Sequence, residues 1–250
     1  MAVEDVTRAL VLRVVDYGET DRVVTLLTEQ LGKGAAFARA ARRSQRRFGG
    51  GALEPGTLVR AAVGRRASSE RGGGMWTLGR AEVLRSAAGL GRDLDALGRA
   101  HYALELCNAA VPEHEADAPL FALCEAFVER CAAGQASEAA LRRFELALLL
   151  ALGWAPAWTS CAECGRPWGR TTPVWFWAER GGLLCPEHAP PDRRGAVPLR
   201  PDTAAAMGGE ADDALAGDGA ACARACLDLV WRAHLGRELR SAAVRRVLAS

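Results

Sequence analysis

Lysine is almost absent from this chain: Lys33 is the only one among 32 basic residues. With so much alanine and glycine alongside, this fits a GC-rich coding sequence. One arginine therefore says little, and the distribution of arginines says more. Aromatic residues make up 6% of the chain, with only two tyrosines, so rings for stacking on a ligand are scarce. No apolar run reaches the roughly 18–20 residues of a membrane-spanning helix. The longest, Leu146–Trp154, follows charged Glu145. The opening MAVEDVTRAL has neither the basic nor the apolar segment of a secretion signal, so a cytoplasmic protein without a membrane partner is expected. There is no P-loop, dinucleotide glycine fingerprint or GxSxG elbow. The acids Asp16, Glu19 and Asp21 read as turn caps rather than a metal-dependent nuclease centre. EADDALAGD lacks the fixed ligand positions of a calcium loop. These absences point away from an enzyme.

What is there is unevenly placed. The 250 residues carry a formal net charge of +2, yet Lys33–Arg85 holds twelve basic residues against three acids, about +9 in one segment. Such asymmetry suits a region that meets polyanions. Its densest part is RAARRSQRRFGGG, with Arg39, Arg42, Arg43, Arg46 and Arg47 ahead of a glycine run. The spacing fits a solvated helical face. It also fits a loop whose guanidinium forks pair with phosphates while its glycines allow close approach.

The flanks favour the loop. Residues 1–90 read as five short strands, Thr7–Tyr17, Asp21–Thr28, Ala35–Ala40, Gly56–Gly64 and Met75–Ala87, separated by glycine turns. That pattern suggests a small closed barrel, with a sandwich as the alternative. The arginine run joins two of these strands. A second basic loop with Arg65 and Arg66, GRRASSERGGG, follows the next. Barrel faces flanked by basic loops are how oligonucleotide-binding folds hold single strands. Phe37, Phe48 and Trp76 are candidate stacking rings and equally candidate core residues. Binding should lean on phosphates and weaken with salt.

From Asp93 the apolar period becomes helical. Leu104, Leu120, Phe121, Phe127, Leu141, Phe144 and Leu148 should share a core, with Asp117 and Ser137 as N-caps and Gly134 and Gly153 as stops. Residues 91–154 are expected to form a helical domain. A Pro/Gly/Trp-rich insert occupies 155–199, and closing helices occupy 200–250, with Gly208–Gly219 a connector. The whole is an α+β multidomain chain.

The insert carries the most specific local signal. Cys161-x2-Cys164 and Cys185-x2-His188 stand twenty residues apart, the two-pair spacing of a zinc ribbon. A two-residue gap lets both ligands of one turn reach a single ion, and Gly165 permits the tight turn behind the second cysteine. Four protein ligands close the shell, so a structural Zn²⁺ is expected. A redox CxxC is the alternative, but the βαβ context such motifs use is missing. Cys107, Cys124, Cys131, Cys222 and Cys226 sit in helical patterns as small hydrophobes.

The order of basic barrel, helical bundle, ribbon and closing helices resembles the RecO family of bacterial DNA repair proteins. The resemblance runs through Ala9–Ser44, YALELCN, LRRFELALLLALGWAP, CAECG, GGLLC and the final LGRELRSAAVRRVL. It implies an N-terminal oligonucleotide-binding fold that binds single- and double-stranded DNA and anneals complementary strands. It implies RecR and the C-terminal tail of single-stranded DNA-binding protein as partners, with RecA loading as the outcome, in the cytoplasm at the nucleoid. Carried over, Lys33, Arg39, Arg42, Arg43, Arg46 and Arg47 match basic barrel positions, and Cys161, Cys164 and Cys185 match zinc ligands. His188 departs from the commoner fourth cysteine. The acidic tail would need an apolar groove rimmed by arginine, for which Trp231, Leu235, Arg240 and Arg246 are the candidates. An RNA-binding or translation-linked barrel-plus-ribbon protein is the competing reading.

Overall fold

Residues 3–65, 74–168, 174–189, 191–192, 195–209 and 215–241 are described by a computed structural model. The chain divides into two compact units, Met1–Ala136 with Leu239–Ser250, and Ser137–Glu238.

The first unit begins with five strands: β1 (Val3–Tyr17), β2 (Asp21–Thr28), β3 (Gly32–Ala38), β4 (Leu58–Arg65) and β5 (Trp76–Arg85). A single helical turn, α1 (Gln45–Phe48), lies between β3 and β4. Strand β1 is fifteen residues long because it serves two neighbours: it pairs antiparallel with β4 early and with β2 late. A register shift between Val11 and Arg13 lies in its β2-paired half, as bulges do where a sheet must curve. The order β1-β2-β3-β5-β4 returns to β1. The β3–β5 seam is only two pairs, Ala36 with Trp76 and Phe37 with Thr77. A five-stranded ring with one short seam is the partly open barrel of the oligonucleotide-binding fold.

Period-2 alternation fills its interior. Ala9, Val11, Val24, Leu26, Ala36, Ala38, Val59, Ala61, Val63 and Leu78 form one buried cluster with Phe48, Leu53 and Trp76. Many are alanines because the ring is narrow. At Gly34 even a methyl group would stand 2.5 Å from the Trp76 ring, so the tryptophan fills space the glycine leaves.

Helices α2 (Leu94–Ala110) and α3 (Ala118–Ala132) complete this unit. Asp117 caps α3 through the amide of Leu120, and Gly134 takes a left-handed φ of 69° just beyond its end, both as the sequence indicates. Helix α3 is tied to the barrel by charge. Arg8 donates to both oxygens of Glu125 at 2.6 and 2.7 Å, and Arg85 meets Glu125 and Glu129 at 3.4 and 3.1 Å.

The second unit contains α4 (Glu138–Ala151), β6 (Ala157–Cys161), β7 (Val174–Trp177), β8 (Gly182–Leu184), β9 (Val197–Leu199), α5 (Pro201–Met207) and α6 (Gly217–Leu235). Ser137 caps α4, and Gly153 takes a φ of 72° beyond its end. The sheet order is β6-β8-β7-β9. Trp158 stacks on Phe176 at 4.9 Å across it. Strand β9 and helix α5 are not anticipated by the sequence pattern, being three and seven residues long. The expected connector 208–219 is shorter than its composition suggests, because α6 already begins at Gly217. Of the last closing helix, expected over 237–248, residues 237–239 are not helical, 240–241 are, and 242–248 lie outside the described residues. No helix among the described residues is long and apolar enough to cross a membrane.

Candidate nucleic-acid interface and metal centre

The arginine run is a loop, not a helical face. Residues 39–43 are turns, and only Gln45–Phe48 make a helical turn. The loop is braced on the β1–β2 turn. Asp21 Oδ1 accepts from the amide of Ala40 at 2.7 Å, Arg42 N donates to Thr20 O at 3.0 Å, and Arg42 Nη1 donates to Glu19 O at 3.2 Å. Asp21 is therefore a cap, as expected, but it caps the neighbouring loop rather than its own turn. Ala40 holds a left-handed φ of 51° there.

Within the loop the arginines divide. Arg39, Arg42, Arg43 and Arg46 are exposed, and none has a carboxylate partner among the described residues. Arg47 turns inward. Its Nε donates to Ser44 Oγ at 3.0 Å, its Nη2 to Arg39 O at 2.6 Å, and its guanidinium lies 5.0 Å above the Phe48 ring. Expected on the DNA-facing surface, Arg47 instead staples the loop, because its fork is spent on the loop's own backbone.

Lys33 is a second correction. It is 6% exposed, and its ammonium donates to Asn108 O on α2 at 2.7 Å. Burial pushes its pKa down, against the opposing pull of Glu113 and, less strongly, Cys107. A buried cation already satisfied by a helix carbonyl cannot also meet a phosphate, so Lys33 is a joint between β3 and α2. Elsewhere in the basic segment the structure removes charge. Glu82 lies 3.8 Å from Arg60 and 2.5 Å from Arg80, and Arg85 faces Glu125 and Glu129. Among the described residues, the arginines of this segment without a carboxylate partner are concentrated in the β3–α1 loop. Arg65 ends β4 opposite Val3. Arg66 and the rest of the second basic loop to residue 73 lie outside the described residues.

Of the three candidate rings, Phe48 and Trp76 belong to the barrel core, and Phe37 is half-buried on the outer face. There it meets Tyr17, ring centroids 5.7 Å apart at 81°. The sequence reading passed over Tyr17. The signal was available: with Val14 inside, alternation in β1 turns Arg13, Val15 and Tyr17 outward, beside the glycine turn.

In the second unit Cys161, Cys164, Cys185 and His188 converge, their ligand atoms all within 4.8 Å of one another. His188 Nδ1 faces the sulfurs, 3.1 Å from Cys185 and 3.8 Å from Cys161. A tetrahedron with metal–sulfur bonds of about 2.3 Å has edges of roughly 3.8 Å, so the four atoms fit one ion. The first knuckle closes through Gly165, whose amide donates to Cys161 O at 2.9 Å with φ at 69°. Burial pushes the Cys161 thiol up, but amides of Cys164, Cys185 and Glu163 donate to the sulfur and bring it down to about 6, preparing a thiolate. The knuckles are linked outside by Arg166–Glu187 at 2.9 Å, and Glu163 of the first meets Arg180 at 2.6 Å. The three thiols and one imidazole could hold a metal ion.

Of the expected tail-binding residues, Trp231 and Leu235 lie in the second unit and Arg240 in the first. Trp231 is 3% exposed and packs on Trp154. Leu235 is half-buried in the same unit, whereas exposed Arg240 belongs to the other unit and its amide donates to Glu105 at 3.0 Å. Arg246 lies outside the described residues. A buried indole cannot line an open groove, so Trp231 is core. Exposed His234 stacks on Trp154 at 4.6 Å.

Comparison with known proteins closes the assignment. The family model described as Recombination protein O N terminal matches residues 1–87, and that described as Recombination protein O C terminal matches 91–242. A DNA repair protein RecO from Anaeromyxobacter sp. (strain K) is 44% identical over 247 residues, covering 96% of this chain and 93% of that one. One from Myxococcus xanthus (strain DK1622) is 40% identical over 177 residues, covering 71% and 69%. Matched by both family models over nearly its whole length and 44% identical to a named relative, the chain belongs to the RecO family of DNA repair proteins.

Proposed function

We propose that this chain is a recombination mediator that acts by binding rather than by a chemical step. It holds single- and double-stranded DNA on the barrel, anneals complementary strands and, with RecR, helps RecA load on DNA coated with single-stranded DNA-binding protein. One observation carries the reading: four exposed arginines without carboxylate partners among the described residues on one braced loop, while Arg60 and Arg80 on the neighbouring strands share Glu82. Guanidinium forks held on a rigid loop release counterions when they meet phosphates, which gives affinity without sequence preference. Two strands held loosely in this way can slide into register. The test is annealing of two complementary strands, each coated with single-stranded DNA-binding protein. The chain should accelerate it severalfold; an unchanged rate contradicts mediation. Preference for RNA over single-stranded DNA of the same sequence would favour a translation-linked role.

The metal proposed for the Cys3His cluster is Zn²⁺, in a structural role. Three thiolates and an imidazole suit a borderline-soft ion, and four protein ligands leave no open position. When bound it supplies a cross-link between the β6 knuckle and the turn after β8. Metal analysis should find one zinc per chain. Cys161→Ser should lose it and lower the unfolding midpoint of the second unit while leaving DNA binding within about twofold. Wild-type protein without zinc would overturn the assignment.

A further inference from the structure

Phosphate contacts do not distinguish single from double strands, since both present the same backbone. The outer face of β1–β3 offers something that does. Tyr17 is 62% exposed and Val15 42% exposed, and Phe37 stands beside Tyr17 at 5.7 Å. The register places Val15 opposite Val23 and Val23 opposite Phe37, so these side chains form one apolar row across three strands. Arginines without carboxylate partners among the described residues lie along two sides of the row. Exposed Arg13 lies one pair along β1, and Arg39 follows at the end of β3, where the loop with Arg42, Arg43 and Arg46 begins. Two of the nearby acids are engaged: Asp16 pairs with Arg22 at 2.9 Å, and Asp21 Oδ1 accepts from Ala40 and Thr20, while the exposed Glu19 lies in the turn beyond Tyr17.

An exposed apolar row framed by unneutralised guanidinium groups needs an occupant with flat apolar faces strung on an anionic chain. We propose that Tyr17, with Phe37 supporting it edge to face, is a stacking platform for the unpaired bases of single-stranded DNA. Bases in a duplex are already stacked on one another and turn edges and phosphates outward, so they cannot use it. Unpaired bases can, whatever their identity, because each has a π-face. The loop would then supply affinity for any DNA, and Tyr17 the preference for single strands. This rests on the DNA-binding reading above, and the experiment separates the two.

Equilibrium binding is measured for wild type, Tyr17→Phe and Tyr17→Ala on a single-stranded oligonucleotide, the matching duplex, and a single strand of equal length with abasic sites. Tyr17 is mostly exposed, so its replacement should leave the fold intact, checked by an unchanged unfolding midpoint. Tyr17→Ala should weaken single-strand binding roughly tenfold and change duplex binding less than twofold, while Tyr17→Phe binds as wild type. Wild type should bind the abasic strand about as weakly as Tyr17→Ala binds the normal one. Equal losses on single strand and duplex, or an abasic strand bound as tightly as the normal one, would overturn the platform and leave the loop reading standing. Wild type that binds none of the three would overturn the DNA-binding reading itself.

Discussion

Replacing Glu145 by alanine is expected to destabilise the second unit by about 3–5 kcal/mol. Arg142 and Glu145, one turn apart on α4, are 2% and 0% exposed at the side chain, with Nη1 and Oε2 2.7 Å apart. Glu138 also lies 3.5 Å from Arg142, and that carboxylate is 44% exposed, so its field is screened. A guanidinium cannot shed its proton. Removing Glu145 therefore takes away the buried carboxylate that lies 2.7 Å from this permanent interior charge. Replacing both partners, Arg142→Met with Glu145→Leu, should restore stability to within about 1–2 kcal/mol of wild type, because neither charge then has to be desolvated. The measurement is urea unfolding followed by tryptophan fluorescence. Six of the seven tryptophans lie in Ser137–Glu238, so the signal reports this unit. A loss below about 1 kcal/mol for Glu145→Ala would mean that the pair is open to water.

This pair also shows where a sequence stops being readable. The apolar period of α4 is plain, and so are its cap at Ser137 and its end near Gly153, because these depend on neighbours in the chain. A charge at position 145 reads as the polar side of an amphipathic helix. Its burial is set by what packs around α4 from elsewhere in the unit. The same division holds in the barrel. Strands, turns and knuckle cysteines are local patterns: β-branched alternation, glycine between runs, and C-x2-C geometry. Lys33 reads as one more cation because the carbonyl that accepts its hydrogen bond belongs to Asn108, 75 residues on. Arg60 and Arg80 look available until β4 and β5 are laid side by side and Glu82 is found between them. Arg47 looks like Arg46 until Phe48 and the Arg39 carbonyl take it. Counting arginines locates the basic region. Deciding which of them can meet a phosphate needs the pairing of strands.

Changing Arg39, Arg42, Arg43 and Arg46 together to alanine is the second large perturbation. Each contact between arginine and a single-strand phosphate contributes about 0.7 to the slope of log affinity against log salt. Loss of four should flatten that slope by roughly 3 and raise the dissociation constant about a thousandfold at 50 mM salt. The four side chains are exposed, and no carboxylate partner is lost with them, so the fold should not suffer. Lys33→Met and the pair Arg60→Ala with Arg80→Ala serve as controls. They also remove charge from the same segment, yet Lys33 is buried, and Arg60 and Arg80 share the one carboxylate of Glu82, leaving at most about one net positive charge between them. Their slopes should stay within about 0.5 of wild type.

The account turns on where the positive charge is free, and the salt slope of single-stranded DNA binding measures that directly. A titration from 50 to 300 mM salt should give a steep line for wild type, the same line for Lys33→Met and Arg60→Ala with Arg80→Ala, and a line flatter by about 3 for the four-arginine variant. If the four-arginine variant keeps the wild-type slope, or if the controls flatten as much as it does, the phosphates are held elsewhere and the β3–α1 loop is not the interface.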